Sequence, residues 1–157
     1  MDVWWIDEPI VLGSSNPSTE DLETLRGRGF EVLVSLLREQ EQSPRYDVAR
    51  VLALGYVRHN IPVRDFHPPS LVQLEEFVDL MSRLRAKSKV VVHCQGGIGR
   101  TGTFAAAYWI AKGVPAAEAV SRIRKARPSA VETPEQVAAL EEFARTRGGH
   151  GSVGTTR

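Results

Sequence analysis

The stretch HCQGGIGRTG, residues 93–102, sets the chain's only cysteine, Cys94, six positions before an arginine, Arg100, with glycines at 96, 97, 99 and 102. Taken singly, a lone cysteine reads as a small buried apolar residue, and glycines between a strand and a helix read as packing. Together they support other chemistry. Closely spaced glycines let backbone N–H groups turn inward into an anion-binding nest. The helix that follows aims its positive end at the same point. Such a field stabilises a thiolate, the nucleophilic form of cysteine. Arg100 adds a planar fork that matches two oxygens of a phosphate. A nucleophile, a ring of donors and a fork on one short loop describe a site for a phosphate ester. The nest expected here runs over Gln95, Gly96, Gly97, Ile98, Gly99 and Arg100. The nucleotide-cradling loop GxxxxGK[ST] needs a lysine that is missing here.

Positioning such a loop takes a strand before it and a helix after it, and both patterns are present. KVVVHC is β-branched and too apolar on both faces for an exposed strand, so it belongs in the middle of a sheet. RTGTFAAAYWIAKG reads as a helix ending at Gly113. Upstream, VWWIDEPIVLGSS holds two short strands broken at Pro9, followed by a helix capped at Ser18 or Thr19 and stopped at Gly27 or Gly29. Phe30 to Leu37 is a buried-strand pattern, REQEQSPR a polar loop, YDVARVLALG a short helix and YVRHNIPV a strand. After the loop RDFHPPS, Ser70 opens a periodic helix running to Lys87, with Leu71, Leu74, Phe77, Val78, Met81 and Leu84 on one face. Two more helices follow, the last with Thr133 as N-cap and Pro134 at its first position. Alternating strands and helices predict an α/β fold with a central, mostly parallel sheet and helices on both faces. Ligands of such sheets bind beyond the carboxyl ends of the strands, where Cys94 falls.

The 157 residues suit one domain, placed at 1–147, with a flexible Gly-rich tail at 148–157. A net charge of +1 gives no footprint for nucleic acid. No apolar run reaches bilayer length, and MDVWWIDEP lacks the basic start of a signal peptide. One cysteine excludes an intramolecular disulfide and any multi-cysteine metal site. The expectation is a cytoplasmic monomer without cofactor or metal.

HCQGGIGRTG resembles the HCxxGxxR[ST]G signature of the cysteine-dependent protein tyrosine phosphatase superfamily. The short chain is most similar to compact dual-specificity-like phosphatases of small archaeal and bacterial type. The resemblance extends from IVLGSSNPS through IPVRDFHPPS to RKARPSAVETPEQ. It implies that Cys94 attacks phosphorus and forms a phosphocysteine, while Arg100 and the loop amides hold the phosphoryl oxygens. It further implies that Thr101 supports the sulfur as nucleophile and leaving group, and that His93 braces the loop and helps keep the thiolate ionised. Asp65, 29 residues before Cys94, matches the family's general acid. His67 is its nearest competitor, and Arg64 stands where a proline often precedes that acid. Gln136 and Glu132, in VETPEQ, match a segment beside the pocket. Each is a candidate to orient the hydrolytic water or simply a residue of the helix cap. Arg127 is expected to tie this segment to the core.

The implied substrate is a phosphorylated protein or peptide, with phosphotyrosine favoured for its better leaving group and phosphoserine and phosphothreonine admitted by a shallow pocket. Phosphoinositide-directed relatives carry lysines in the loop, and Gln95, Gly97 and Ile98 add no charge. Alternatives are a catalytically weak phosphopeptide-binding module, a phosphatase for a non-protein ester such as RNA 5′-phosphate, and a rhodanese-type sulfur transferase.

Overall fold

Valine-rich strands with apolar residues on both faces require cover from two sides, and the chain supplies it with helices. The computed structural model describes the backbone of residues 1–155 and the side chains of residues 1–147. The stretch expected to form a tail, 148–157, therefore lies outside the described residues where side chains are concerned. The elements, in chain order, are β1 (Val3–Asp7), β2 (Val11–Ser14), α1 (Thr19–Gly27), β3 (Phe30–Ser35), α2 (Val48–Ala53), β4 (Val57–Asn60), α3 (Leu71–Arg83), β5 (Lys89–His93), α4 (Gly99–Ala111), α5 (Ala116–Ala126) and α6 (Pro134–Thr155).

The five strands lie in the order β1-β2-β5-β3-β4. Only β1 and β2 pair antiparallel; β2–β5, β5–β3 and β3–β4 are parallel. The strand KVVVH is central, as its composition requires, and its pleat divides the two cores. Val90 and Val92 face the larger core with residues of α3, α4, α5 and α6. Val91 faces the smaller one with Leu22 and Leu25 of α1 and Val51 of α2. Helix α4 runs through the larger core, with every residue from Gly99 to Tyr108 buried.

Local chemistry sets most boundaries. Ser18 and Ser70 close capping boxes with Asp21 and Gln73. α3 stops at Arg83, four residues before the expected end, because Leu84 is already extended. β4 ends at Asn60 rather than reaching Val63, since Pro62 has no N–H to give a neighbouring strand.

Four parallel strands end on one edge of the sheet. β2 delivers Asn16, β3 the segment from Leu36 to Asp47, β4 the segment with Asp65, and β5 the cysteine loop. β5 is the strand where the winding reverses, between β2 on one side and β3 on the other. Ligands of open α/β sheets bind at such a point.

Candidate active site

The sulfur of Cys94 is buried at the end of β5 and accepts two hydrogen bonds, from Thr101 Oγ1 at 3.0 Å and from the Gly97 amide at 3.2 Å. Both donors complement negative charge on sulfur. Gly97 has a φ of +72°, and a Cβ there would lie 2.7 Å from the backbone of Ser14 and Ser15, so only glycine fits. Its carbonyl accepts from Trp4 Nε1 at 2.8 Å, which pins the turn to β1. α4 begins immediately after, and its cap residue Ile98 offers no side-chain acceptor. The amides of Gln95, Gly96 and Ile98 are taken by no acceptor among the described residues. They stand with the positive end of α4, an arrangement suited to an oxyanion.

Arg100, in the first turn of α4, is 2% exposed. Its Nη1 donates to the Val63 carbonyl at 3.0 Å. Its Nη2 donates to Gln42 Oε1 at 2.6 Å and pairs with Asp65 Oδ1 at 3.3 Å. Among the described residues its Nε is buried with no hydrogen-bond partner. A desolvated donor without an acceptor is costly, and here it belongs to the group expected to hold phosphate.

Asp65 accepts from the Phe66 amide at 3.0 Å through Oδ1 and from Gln42 Nε2 at 3.3 Å through Oδ2. His67, its competitor as acid, hydrogen-bonds the Asp65 carbonyl through Nδ1 at 2.9 Å and is an exposed side chain. The segment bends sharply, with Phe66 at a φ of +63°.

Behind the loop, His93 is fully buried, and burial first, then the nearby Arg58 and Arg100 cations, push its pKa down to about 3. The imidazole is therefore neutral. Its Nδ1 faces the Cys94 carbonyl at 3.4 Å and must carry the proton; its Nε2 accepts from Tyr46 Oη at 2.9 Å. Tyr46 Oη in turn accepts from Arg58 Nε at 2.9 Å. This relay braces the loop by hydrogen bonds and adds no charge to it through the imidazole itself. Asn16 braces the other side. Its amide nitrogen donates to Gln95 Oε1 and to the Ser43 carbonyl, each at 3.1 Å, and its backbone N–H donates to the Gln95 carbonyl at 2.9 Å.

The segment after α5 closes over the start of α4. Gly102 permits this approach, because a Cβ there would lie 2.8 Å from that of Ala130. The Glu132 carboxylate packs against Gly99, where a Cβ would collide with it; desolvation first, then the Asp65 charge, raise its pKa above the usual glutamate value. Gln136 is fully buried and shares a capping box with Thr133, accepting from its amide at 3.2 Å while Thr133 Oγ1 accepts from the Gln136 amide at 3.1 Å. Gln136 Nε2 also donates to the His67 carbonyl at 3.3 Å, so the α6 cap holds the Asp65 segment. The expected tie by Arg127 is corrected. Arg127 reaches Asp2 at 3.8 Å, whereas Arg124 grips the segment through the carbonyls of Ala130 and Val131 at 2.9 and 2.8 Å. The end of α5 decides this, since Arg124 lies within the helix whereas Arg127 is its C-cap residue and already has an extended backbone.

Cys94, Arg100, Thr101, His93 and the loop amides thus meet Asp65, Glu132 and Gln136 around one strand edge. Sequence reasoning missed Gln42, Tyr46, Arg58 and Asn16. Tyr46 carried a signal, an aromatic at the junction of the polar loop and the short helix after it; Gln42 carried none beside Glu39, Gln40 and Glu41. Among the described residues no cluster of histidine, cysteine or carboxylate side chains suits a metal, and no helix is long and apolar enough to cross a membrane.

A family described as "Tc-R-P: Polymorphic toxin system, DSP-PTPase phosphatase" matches residues 10–114, a span that holds Asp65, Cys94, Arg100 and Thr101. The chain belongs to this family. It is also 29% identical to mouse "Protein tyrosine phosphatase domain-containing protein 1" over 157 residues, covering 88% of this chain and 21% of that protein. It spans about a fifth of the curated relatives it matches first, which come from mouse, cattle and zebrafish. The crystal structure of Tk-PTP in its active form superposes with a TM-score of 0.82 at 33% identity, covering 91% of this chain and 96% of that one. PTPMT1 in complex with PI(5)P gives a TM-score of 0.84 over 96% of this chain and 99% of that one, but at 22% identity the likeness is one of fold. The protein is a compact member of the cysteine-based phosphatases, and its fold and family are those of a hydrolase.

Proposed function

We propose that this chain hydrolyses phosphotyrosine in proteins or peptides, and phosphoserine and phosphothreonine as well, through a phosphocysteine intermediate. The Cys94 thiolate attacks phosphorus, forming the S–P bond as the P–O bond to the substrate breaks. Asp65 gives its proton to the departing oxygen. Arg100 Nε and the loop amides stabilise charge on the phosphoryl oxygens. Water then attacks phosphorus, the S–P bond breaks, and the Thr101 hydroxyl supports the returning thiolate. Asp65 accepts the water proton, with Glu132 or Gln136 orienting that water.

The observation that carries this reading is the meeting of Arg100 Nη2 with Asp65 Oδ1 at 3.3 Å, beside a cysteine loop whose Gln95, Gly96 and Ile98 amides have no acceptor among the described residues. The contact supports a reading in which Arg100 binds the phosphate and Asp65 gives the proton. Substrate choice rests on the loop itself, where Arg100 is the one charged side chain between Gln95 and Gly102. That suits a single phosphate better than a multiply phosphorylated headgroup.

Hydrolysis of a chromogenic aryl phosphate in the presence of a metal chelator tests the reading. The wild-type chain turns it over and Cys94→Ser does not. In the same assay Asp65→Asn loses most activity on poor leaving groups. Full turnover by Cys94→Ser sinks the mechanism, and an equal loss on good and poor leaving groups removes Asp65 from the acid's role.

A further inference from the structure

Three side chains from three segments form a closed ring at Arg100. Gln42 Oε1 accepts from Arg100 Nη2 at 2.6 Å, Gln42 Nε2 donates to Asp65 Oδ2 at 3.3 Å, and Asp65 Oδ1 returns to the same Nη2 at 3.3 Å. We propose that Gln42 is a positioning residue that sets the phosphate-binding arginine and the proton donor as one unit. This inference rests on the phosphatase reading above.

The side-chain type matters. A primary amide carries an acceptor and a donor on one planar group, so one residue meets a cation and an anion at once. A carboxylate at position 42 could accept from Arg100 but would face Asp65 as a like charge. The neighbouring Glu41 is already paired with Arg38 at 2.7 Å.

Val63 takes Nη1 and Gln42 takes Nη2, so both terminal nitrogens of the guanidinium are held, while Nε is buried with no hydrogen-bond partner among the described residues. When a phosphoryl oxygen takes the place of Asp65 Oδ1 on Arg100, Gln42 still holds Oδ2. The carboxyl group then pivots toward the leaving oxygen instead of swinging free. Removing the amide leaves Arg100 buried with one partner fewer and the acid untethered. Small displacements of such groups cost large factors in rate.

The test compares wild type, Gln42→Met, which matches the length without hydrogen bonds, and Gln42→Glu, which keeps the acceptor and loses the donor. The assay is kcat and kcat/KM over aryl phosphates of graded leaving-group quality, with thermal melting alongside. Both variants are expected to lose about tenfold or more in kcat/KM, with a larger loss on poor leaving groups and a steeper leaving-group dependence. In an Asp65→Asn background, Gln42→Met should change that dependence little, because the two act on one proton transfer. A loss equal across leaving groups, additivity with Asp65→Asn, or rates within about twofold of wild type overturns the proposal. Should Gln42→Met fail to fold, Gln42→Glu decides on the same criteria. A wild-type chain inert on every aryl phosphate refutes the phosphatase reading; an active wild type with an unaffected Gln42 variant refutes this inference alone.

Discussion

His93 shows how one buried side chain ties the site to the stability of the fold. In the unfolded chain its imidazole titrates near 6.5, and in the fold burial holds it down to about 3. Between those values the unfolded state binds the extra proton. Its contribution is therefore complete above about pH 6.5 and is lost as the pH falls toward about 3, at up to about 1.4 kcal/mol per pH unit. Urea denaturation of wild type and His93→Gln, followed from about pH 7 down to about pH 4, should show a shallower decline for the variant. Parallel declines would mean that His93 is not held neutral. At this scale Cys94 and Arg100 were readable because glycines and an arginine at that spacing have few other uses. Gln42 was not, since its role depends on two partners brought from 23 and 58 residues away. Arg124 and Arg127 are chemically alike, and only the point where α5 ends, with Arg127 as its extended C-cap, separates the one that reaches the Ala130 and Val131 carbonyls.

Elements position these side chains through their ends. α4 begins uncapped at Ile98 beside Cys94, whereas α6 begins with a Thr133–Gln136 capping box whose glutamine also holds the His67 carbonyl. Gln136 therefore joins helix stability to the acid segment. Gln136→Ala is expected to cost about 0.5–2 kcal/mol in denaturant unfolding, the usual range for a lost cap. It should also raise proteolytic cutting between Arg64 and Ser70. A stability loss with that segment as resistant as before would reduce Gln136 to a helix cap. The helices and their caps were readable from Ser18, Ser70 and Thr133, and the central strand from its valines. The short β4 and the early end of α3 were less so. Apolar patterning continues past Asn60 and past Arg83, while Pro62 and the extended Leu84 end the elements.

Across the whole molecule, the sheet order brings four strand ends to one edge, so residues as distant as Asn16, Gln42, Asp65 and Cys94 share a site. Alternation of strands and helices predicted that sheet. Patterning alone could not predict that β5 lies between β2 and β3, an order set by which faces the crossovers cover. The central claim is that phosphate passes through the sulfur of Cys94. Rapid acid quench of the enzyme with an excess of aryl phosphate, followed by mass spectrometry of the peptide carrying Cys94, tests it most directly. The account predicts one phosphoryl group on Cys94, formed within the first turnover and absent from Cys94→Ser. Turnover at the full rate with no phosphorylated cysteine at any time point would contradict it.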